Sequence, residues 1–179
     1  MRHQYRETVL GVIVRRCSNG MVQIGLAWSA KAQLSWQCSH TLPGGGKNNG
    51  ESAEEALSRE LAEEVGLYPG DYVMWPIDQG DHVFIGPKAA DGREKIYEFL
   101  LVVCNQNVEL GTSGEVAAAT WFSPQQVLAI AEQGLSPNKR GMIAVLTDLL
   151  LAQYPVLFGG SKSTFKQLSG ALGQMSLAA

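Results

Sequence analysis

The sequence predicts one α/β domain in which helices cover a mixed β-sheet. Strand-like runs of β-branched residues and amphipathic helical segments interleave along the chain, but without the regular strand–helix–strand alternation of a parallel doubly wound fold, which is the alternative. The 179 residues are 45% hydrophobic and 17% charged, as is typical of a globular domain with its own hydrophobic core. We expect residues 1–156 to form this single domain. The remaining residues 157–179 are rich in Gly, Ser and Ala and are expected to form a loosely attached tail.

The predicted strands begin with a hairpin. Residues 8–14 (TVLGVIV) and 21–28 (MVQIGLAW) are strand-like and flank a Ser-Asn-Gly turn. The chain then reaches residues 42–50 (LPGGGKNNG), whose succession of turn-forming residues predicts a loop without regular structure. Further strands are predicted at residues 82–85, 96–104 and 117–122, and the first two of these are expected to pair with each other.

Three helices are predicted from their start signals. A capping-box pattern opens at Ser52, strong helix formers follow as far as Val65, and Gly66 is placed to end this helix. Ser-Pro pairs, which combine an N-cap with a proline at the first helical position, predict two more helices at residues 124–133 and 137–153.

Charge, cysteine content and hydropathy exclude several classes of protein. With 14 Lys+Arg against 17 Asp+Glu, the formal net charge is −3, so the chain offers no broad basic surface to an extended nucleic acid. Its three cysteines lack a Cys-x-x-Cys spacing, which predicts reduced thiols and a cytoplasmic location. No apolar run approaches the roughly 20 residues needed to cross a bilayer, so no membrane partner is expected.

The helix that follows Ser52 carries the most chemical information. Glu60, Glu63 and Glu64 project from one patch that borders the apolar face of the helix, whereas Arg59 lies on the opposite side, where charge merely solubilises. Mutual repulsion and burial both disfavour three ionised carboxylates unless a cation shares the patch. Oxygen ligands favour Mg²⁺, or Mn²⁺ in its place, and the preceding glycine-rich loop favours a phosphate. The pattern therefore predicts a metal-bound di- or polyphosphate, the alternative being an acidic helix whose glutamates are solvated.

The spacing of these residues matches a known motif. From Gly45 to Leu67 the chain reads G-x5-E-x7-R-E-L-x-E-E-x-G-L, which is the Nudix box, and the sequence resembles the Nudix hydrolases. The Leu-Pro-Gly-Gly that overlaps the start of the box, and Glu115 with the Trp-Phe-Ser-Pro of residues 121–124, extend the resemblance over most of residues 8–154. The resemblance implies an α/β/α sandwich with a mixed central sheet. It also implies Mg²⁺-dependent hydrolysis of a nucleoside diphosphate linked to another moiety, X.

The resemblance further implies roles for residues of the box. Three glutamates bind the divalent ions, namely Glu60, Glu63 and Glu64, and Gly45 shapes the loop of this metal site. Glu51 supports the ligands and Arg59 orients a carboxylate by ion pairing. A metal-polarised water attacks phosphorus, and one of the glutamates takes its proton.

Residues outside the box are assigned less sharply. Glu115 is a candidate base or extra metal ligand, with an exposed loop acid as the alternative. Glu98 lies in a predicted strand and faces either solvent or the site. His40 and His82 have no partner spacing typical of a metal site, so we interpret both as structural.

The identity of X depends on residues outside the metal site. The segments at residues 35–37 and 50–53 resemble the branch that acts on dinucleoside polyphosphates and on RNA 5′ ends. A dinucleoside polyphosphate or a nucleoside triphosphate is the leading candidate for the substrate. The alternatives are ADP-ribose or a nucleotide sugar, an RNA 5′ end, and a nucleotide-sensing module without turnover. The expected partner is a small nucleotide, and a homodimer is compatible with the sequence.

Three aromatic and three cationic residues are candidates to bind this substrate. Trp36 is placed to stack on a base, as are Trp75 and Tyr5, although a core role is more frequent for any one aromatic residue. Lys88, Arg93 and Lys95 surround a predicted hairpin and are candidates to contact a second phosphate, or else belong to a solvated loop.

Overall fold

A computed structural model describes residues 5–29, 40–86, 88–112, 116–134, 147–150 and 152–154 of the chain. In these residues, eight strands form one mixed sheet, and the two longest helical segments lie at residues 53–65 and 124–134. In chain order the elements are β1 (Tyr5–Arg16), β2 (Val22–Ser29), β3 (His40–Thr41), β4 (Gly44–Gly46), α1 (Ala53–Val65), β5 (Tyr72–Pro76), β6 (Phe84–Gly86), β7 (Glu94–Cys104), β8 (Val116–Phe122) and α2 (Pro124–Gly134).

The sheet is mixed because β1 has neighbours of both orientations. It pairs antiparallel with β2, which confirms the predicted hairpin, and parallel with β7 along eleven residue pairs from Tyr5↔Glu94 to Arg15↔Cys104. The main path runs β3-β2-β1-β7-β5, with β6 pairing with β7 and β8 with β2. The predicted pairing of β6 with β7 is therefore confirmed, and the parallel doubly wound alternative is wrong, since every other strand pair among the described residues is antiparallel.

The strands β1 and β2 diverge, and the glycine-rich segment fills the space between them. Residues 13–16 of β1 pair directly with residues 22–25 of β2. Past this point the two strands separate, and β3 pairs with residues 27–28 of β2 while β4 pairs with residues 8–10 of β1. The Gly11 N–H also donates to the Pro43 carbonyl at 2.8 Å. We call this arrangement the fork. It consists of the diverging ends of β1 and β2 with β3 and β4 between them.

The fork corrects the prediction that residues 42–50 form an irregular loop, since Gly44–Gly46 is a strand. Gly44 has φ +143°, and a Cβ there would stand 2.9 Å from the Leu10 Cα, so only glycine allows β4 to approach β1 this closely. A glycine run has little strand propensity of its own, and it is the tertiary pairing with β1 that makes it a strand.

Helices cover both faces of the sheet, as an α/β/α sandwich requires. On one face α1 buries Leu57, Leu61 and Val65 against β1 and β7. On the other face Leu150 belongs to a second core that includes Phe99. The predicted bounds of α1 are confirmed: Ser52 and Glu55 form both hydrogen bonds of the capping box, and Gly66 ends the helix at φ +67°.

The remaining elements follow the sequence in most places. The strand β8 and the helix α2 lie where they are expected, whereas β5 was not predicted, because its exposed Val73 and Trp75 alternate with only partly buried residues. Residues 147–150 and 152–153 are helical, as predicted, while the rest of the helix predicted at 137–153 and the tail 157–179 lie outside the described residues. The domain limits remain a prediction. None of the helices in the described part of the chain combines the length and apolar character needed to cross a membrane.

Candidate active site

Two carboxylates of α1 meet the backbone of the glycine strand β4. The Gly44 N–H donates to Oε2 of Glu64 at 2.8 Å. The Glu60 carboxylate lies so close to Gly45 that a Cβ added there would stand 2.7 Å from its Oε2. The bare backbone of Gly45 therefore leaves the space that the Glu60 carboxylate occupies.

Arg59 links the start of α1 to this glycine strand. Its Nε and Nη2 donate to the two carboxylate oxygens of Glu51 at 3.0 and 3.1 Å, its Nη1 donates to Glu60 at 2.7 Å, and its Nη2 also reaches the Gly46 carbonyl at 3.1 Å. The helical geometry alone placed Arg59 among merely solubilising charges, and this was wrong. The arginine stem is long enough to bring the guanidinium around the helix to three partners.

The contacts of Arg59 fix the charge state of Glu51. Hydrogen bonding by the Arg59 guanidinium, followed by the backbone and side-chain amides of Asn48, lowers the pKa of Glu51 to about 2. The same pairing with Glu51 raises the pKa of Arg59 above its ordinary value. Both groups are therefore charged at neutral pH, and Glu51 holds the guanidinium beside Glu60.

The three glutamates of the predicted metal site are not equally sheltered. The side chain of Glu60 is 14% exposed, whereas that of Glu63 is 61% exposed and lies 3.6 Å from Nη1 of Arg59. The expectation that all three border the core is thus wrong for Glu63. Among the described residues, no three His, Cys, Asp or Glu side chains converge closely enough to hold an ion in the present arrangement. The structure brings Glu60 and Glu64 to the glycine strand and leaves Glu63 toward solvent.

The residues at the glycine strand nevertheless fit a hard divalent cation. The carboxylates of Glu60 and Glu64, together with the carbonyls of β4, supply only oxygen donors, which suit Mg²⁺ and Mn²⁺. Gly45 adds no side chain, so an ion can approach the backbone at this point. Glu63 is one helical turn from Glu60 and can complete the set by a rotamer change.

Two cations near β4 were missed by the sequence analysis. Lys47 is only 18% exposed, and its Nζ lies 3.1 Å from Glu7 and 3.8 Å from Glu98. Glu98, which the sequence left facing either solvent or the site, therefore pairs with Lys47. The guanidinium of Arg6 lies over Gly46, where an added Cβ would stand 2.8 Å from its Cζ. Both contacts depend on the pairing of β1 with β4, which no local sequence signal indicates.

The predicted substrate-binding cations lie on or next to the turn between β6 and β7. Lys88 is exposed, whereas Arg93 forms a 2.6 Å ion pair with Asp91. Hydrogen bonding by Arg93 lowers the pKa of Asp91, and the charge of Arg6 adds to this effect. Lys95 is the register partner of Arg6 across β1 and β7. The structure therefore brings Lys95 and Arg6 together beside the glycine strand and engages Arg93 within the turn.

Other candidate residues are apart from this site or outside the described part of the chain. Trp75 is exposed on β5, at the opposite edge of the sheet from β3, and Tyr5 begins β1. Trp36 and Glu115 both lie outside the described residues. The rings of His40 and His82 contact other aromatic rings.

Comparisons with known proteins agree with this architecture. The model of the NUDIX domain matches residues 5–146. An RNA pyrophosphohydrolase of Haemophilus influenzae (strain PittEE) is 53% identical over 157 residues, covering 78% of this chain and 76% of the relative. Another, from Baumannia cicadellinicola, is 33% identical over 132 residues, covering 66% of this chain and 77% of the relative. A crystal structure of a Nudix hydrolase from M. smegmatis has the same fold, with a TM-score of 0.55 at 18% identity, covering 74% of this chain and 78% of that one.

Proposed function

The chain belongs to the Nudix hydrolases, and from this premise we propose that it is a Mg²⁺-dependent pyrophosphohydrolase of nucleoside 5′-polyphosphates. The domain match together with relatives named RNA pyrophosphohydrolase indicates a pyrophosphohydrolase, and the family generally needs a divalent metal. The single observation that supports the proposed site is the placement of the Glu60 and Glu64 carboxylates against the bare backbone of β4.

Mg²⁺ is the ion that the donors favour. The proposed ligands are the carboxylates of Glu60, Glu63 and Glu64 with the backbone at Gly45, and all of them are hard oxygen donors. Mg²⁺ retains waters and accepts phosphate oxygens from its substrate, which suits a site with few protein ligands. Mn²⁺ has the same ligand preference and is expected to replace it.

Each residue of the site has a proposed task in the reaction. A bound divalent ion neutralises charge on the phosphates and lowers the pKa of a water molecule. Glu63 takes the proton from the attacking water, because it is the most exposed of the three glutamates, whereas Glu60 is paired with Arg59 and Glu64 accepts from Gly44. Arg59 is a positioning residue, since it fixes Glu60 through its bidentate contact with Glu51.

Glu64 is the alternative base, and Glu115 a second one. Glu64 faces the glycine strand, where it accepts from the Gly44 N–H, so it takes the proton instead if the attacking water lies at β4. The role of Glu115 as base or extra ligand remains a prediction, since this residue lies outside the described part of the chain.

The proposed substrate carries a 5′-polyphosphate on a nucleoside, either free or at the end of an RNA. Relatives named RNA pyrophosphohydrolase, one of them 53% identical, support the RNA 5′ end. A net charge of −3 argues that the protein contacts only the first nucleotides and not a long RNA track. The phosphates that do not take part in the cleaved bond are proposed to contact cations of β1, β7 and the turn before β7, namely Arg6, Lys95, Lys88 and Arg93.

A substrate panel with Mg²⁺ tests this proposal. The panel contains a short 5′-triphosphorylated RNA, a nucleoside triphosphate, a dinucleoside polyphosphate and ADP-ribose, and the readout is the phosphate product released. We expect turnover of at least one of the first three, with a loss of about 10²–10⁴-fold for Glu63→Gln. The matched control is Glu54→Gln, an exposed carboxylate in the first turn of the same helix. Hydrolysis of none of these compounds, or equal rates for both variants, would refute the proposal.

The cytoplasmic location and a homodimer remain proposals. Cys17 and Cys104 are free thiols, as expected for a protein of a reducing compartment. Cell fractionation tests the location, and sedimentation of the purified protein tests the dimer.

A further inference from the structure

We propose that Trp28, His40 and Phe122 form a platform on which the nucleobase of the substrate stacks. This inference rests on the proposed function, because it concerns the base of the same nucleotide whose phosphates bind at β4. It assigns a binding subsite to the β2 arm of the fork, across from Arg6 on the β1 arm.

The three rings come from three neighbouring strands and touch in a row. The ring centroids of Trp28 and His40 are 4.8 Å apart with a tilt of 45°, and those of His40 and Phe122 are 5.4 Å apart, edge to face. Trp28 is the register partner of His40 across β2 and β3. These contacts hold the indole in one orientation, so little conformational freedom is lost when a base stacks on it.

The platform is open to solvent, unlike a core cluster. Trp28 is 40% exposed, and His40 and Phe122 are half-buried. Two other exposed aromatic residues, Tyr68 and Trp75, lie in or next to β5, at the far edge of the sheet. Trp28 is thus an exposed aromatic residue that contacts another aromatic ring and also lies on the fork.

The platform lies within reach of the phosphate site. The chain runs directly from His40 through residues 41–43 to Gly44, whose N–H binds Glu64. Four residues span at most about 14 Å, so a nucleotide with an extended polyphosphate is long enough to join the two sites. Phe122 is the register partner of Ile24 on β2, and Ile24 and Trp28 have the same parity, so these side chains share one face of the sheet. The alternation along β1 and its register with β4 and β2 put Arg6 on this face as well. Val9 and its partner Gly45 face α1 instead, so the polyphosphate has to cross β4 to reach the carboxylates.

The chemistry of the rings suits a base without selecting one. Burial lowers the pKa of His40, so its imidazole is neutral at pH 7 and adds no charge to the stack. Every base has a π-face, and stacking on an aromatic ring is tolerant of sequence. An enzyme that acts on many 5′ ends requires this tolerance.

Binding of nucleotides without turnover tests the platform. The probes are the α,β-methylene analogues of ATP and GTP, which resist cleavage at that bond, and inorganic triphosphate, which has no base; calorimetry with Mg²⁺ gives each Kd. We expect Trp28→Leu to weaken binding of both nucleotide analogues about 10-fold and to leave triphosphate binding unchanged, whereas Trp28→Phe retains nucleotide binding within about 2-fold. Tyr68→Leu, at an exposed aromatic residue away from the fork, should match the wild type in every measurement.

The outcomes separate this inference from the proposed function. Nucleotide binding by Trp28→Leu that equals the wild type, in a variant with an unchanged thermal midpoint, would overturn the platform while hydrolysis of the substrate panel still supports the enzyme. Equal weakening of triphosphate and nucleotide binding would also overturn it, because the effect would then not involve the base. If Trp28→Leu is unfolded, the comparison of Trp28→Phe with His40→Leu decides: a loss of nucleotide binding confined to His40→Leu supports the platform, and no loss in either variant overturns it.

Discussion

Replacement of Gly45 by alanine tests how closely the Glu60 carboxylate must approach the glycine strand. The added Cβ would overlap Oε1 and Cδ of Glu60 and would stand 2.7 Å from its Oε2, whereas ordinary contacts begin at 3.4 Å, so the carboxylate must move by about 1 Å or more. Because the obstacle is the end of a flexible side chain, relief by a new rotamer changes the free energy of unfolding by only about 1 kcal/mol. A displacement near 1 Å at a reacting centre reduces the rate about 10²-fold. Gly45→Ala should therefore remain folded and lose most of its activity.

The assay compares kcat/KM, metal affinity and thermal midpoint. Gly111→Ala is the matched control, because its Cβ would meet no atom closer than 3.5 Å and its backbone is not left-handed. We expect a loss of about 100-fold in kcat/KM for Gly45→Ala, with a thermal midpoint within a few degrees of the wild type, and no change for Gly111→Ala. Wild-type turnover and metal affinity in Gly45→Ala would show that neither the reaction nor metal binding depends on the position of the Glu60 carboxylate.

Three further predictions concern neighbouring residues and the buried thiol. Glu64→Gln should nearly abolish turnover and leave the metal-free protein as stable as the wild type or more stable, since the amide oxygen still accepts from Gly44 and one negative charge is removed; thermal unfolding without metal measures this. Arg59→Lys should lower kcat about 10-fold, because an ammonium group cannot make the bidentate contact with Glu51. Burial raises the pKa of Cys104 to about 12, so the free energy of unfolding should fall as pH rises from about 9 toward 12, where the unfolded chain ionises this thiol first.

Each of these predictions has an outcome that contradicts it. Unfolding of Glu64→Gln in the absence of metal would mean that this carboxylate is a structural group. Full activity of Arg59→Lys would show that a single charge suffices at this position. Cys104 should also resist alkylation at pH 8 in the native protein and react in urea; rapid native labelling of its peptide, followed by mass spectrometry, would show that the thiol is not buried.

The local signals of the sequence determine α1 almost completely. The capping box at Ser52, the helix formers that follow and Gly66 at the end all act within one or two turns, so the helix bounds and the spacing of its glutamates could be read directly. The Nudix box added the chemistry, because its glutamates are defined by that spacing. The hairpin of β1 and β2 was predictable for the same reason, since its turn and its strands are contiguous.

Tertiary pairing determines what the sequence analysis missed. The glycines of β4 become a strand only beside β1, and this pairing also places Arg6 over Gly46 and Lys47 beside Glu7. Helical periodicity describes where a Cβ points but not how far a long side chain reaches, so Arg59 was assigned to the wrong surroundings. Helical periodicity likewise did not predict the exposure of Glu63, because this exposure depends on how α1 packs against the fork.

Binding of Mn²⁺, followed by electron paramagnetic resonance, tests most directly whether the carboxylates of α1 hold the divalent ion at the glycine strand. We predict that Glu60→Gln and Glu64→Gln each weaken Mn²⁺ binding at least about 10-fold, whereas Glu54→Gln on the same helix binds like the wild type. An unchanged Mn²⁺ affinity in both Glu60→Gln and Glu64→Gln would mean that the ion binds elsewhere and that these carboxylates do not hold it.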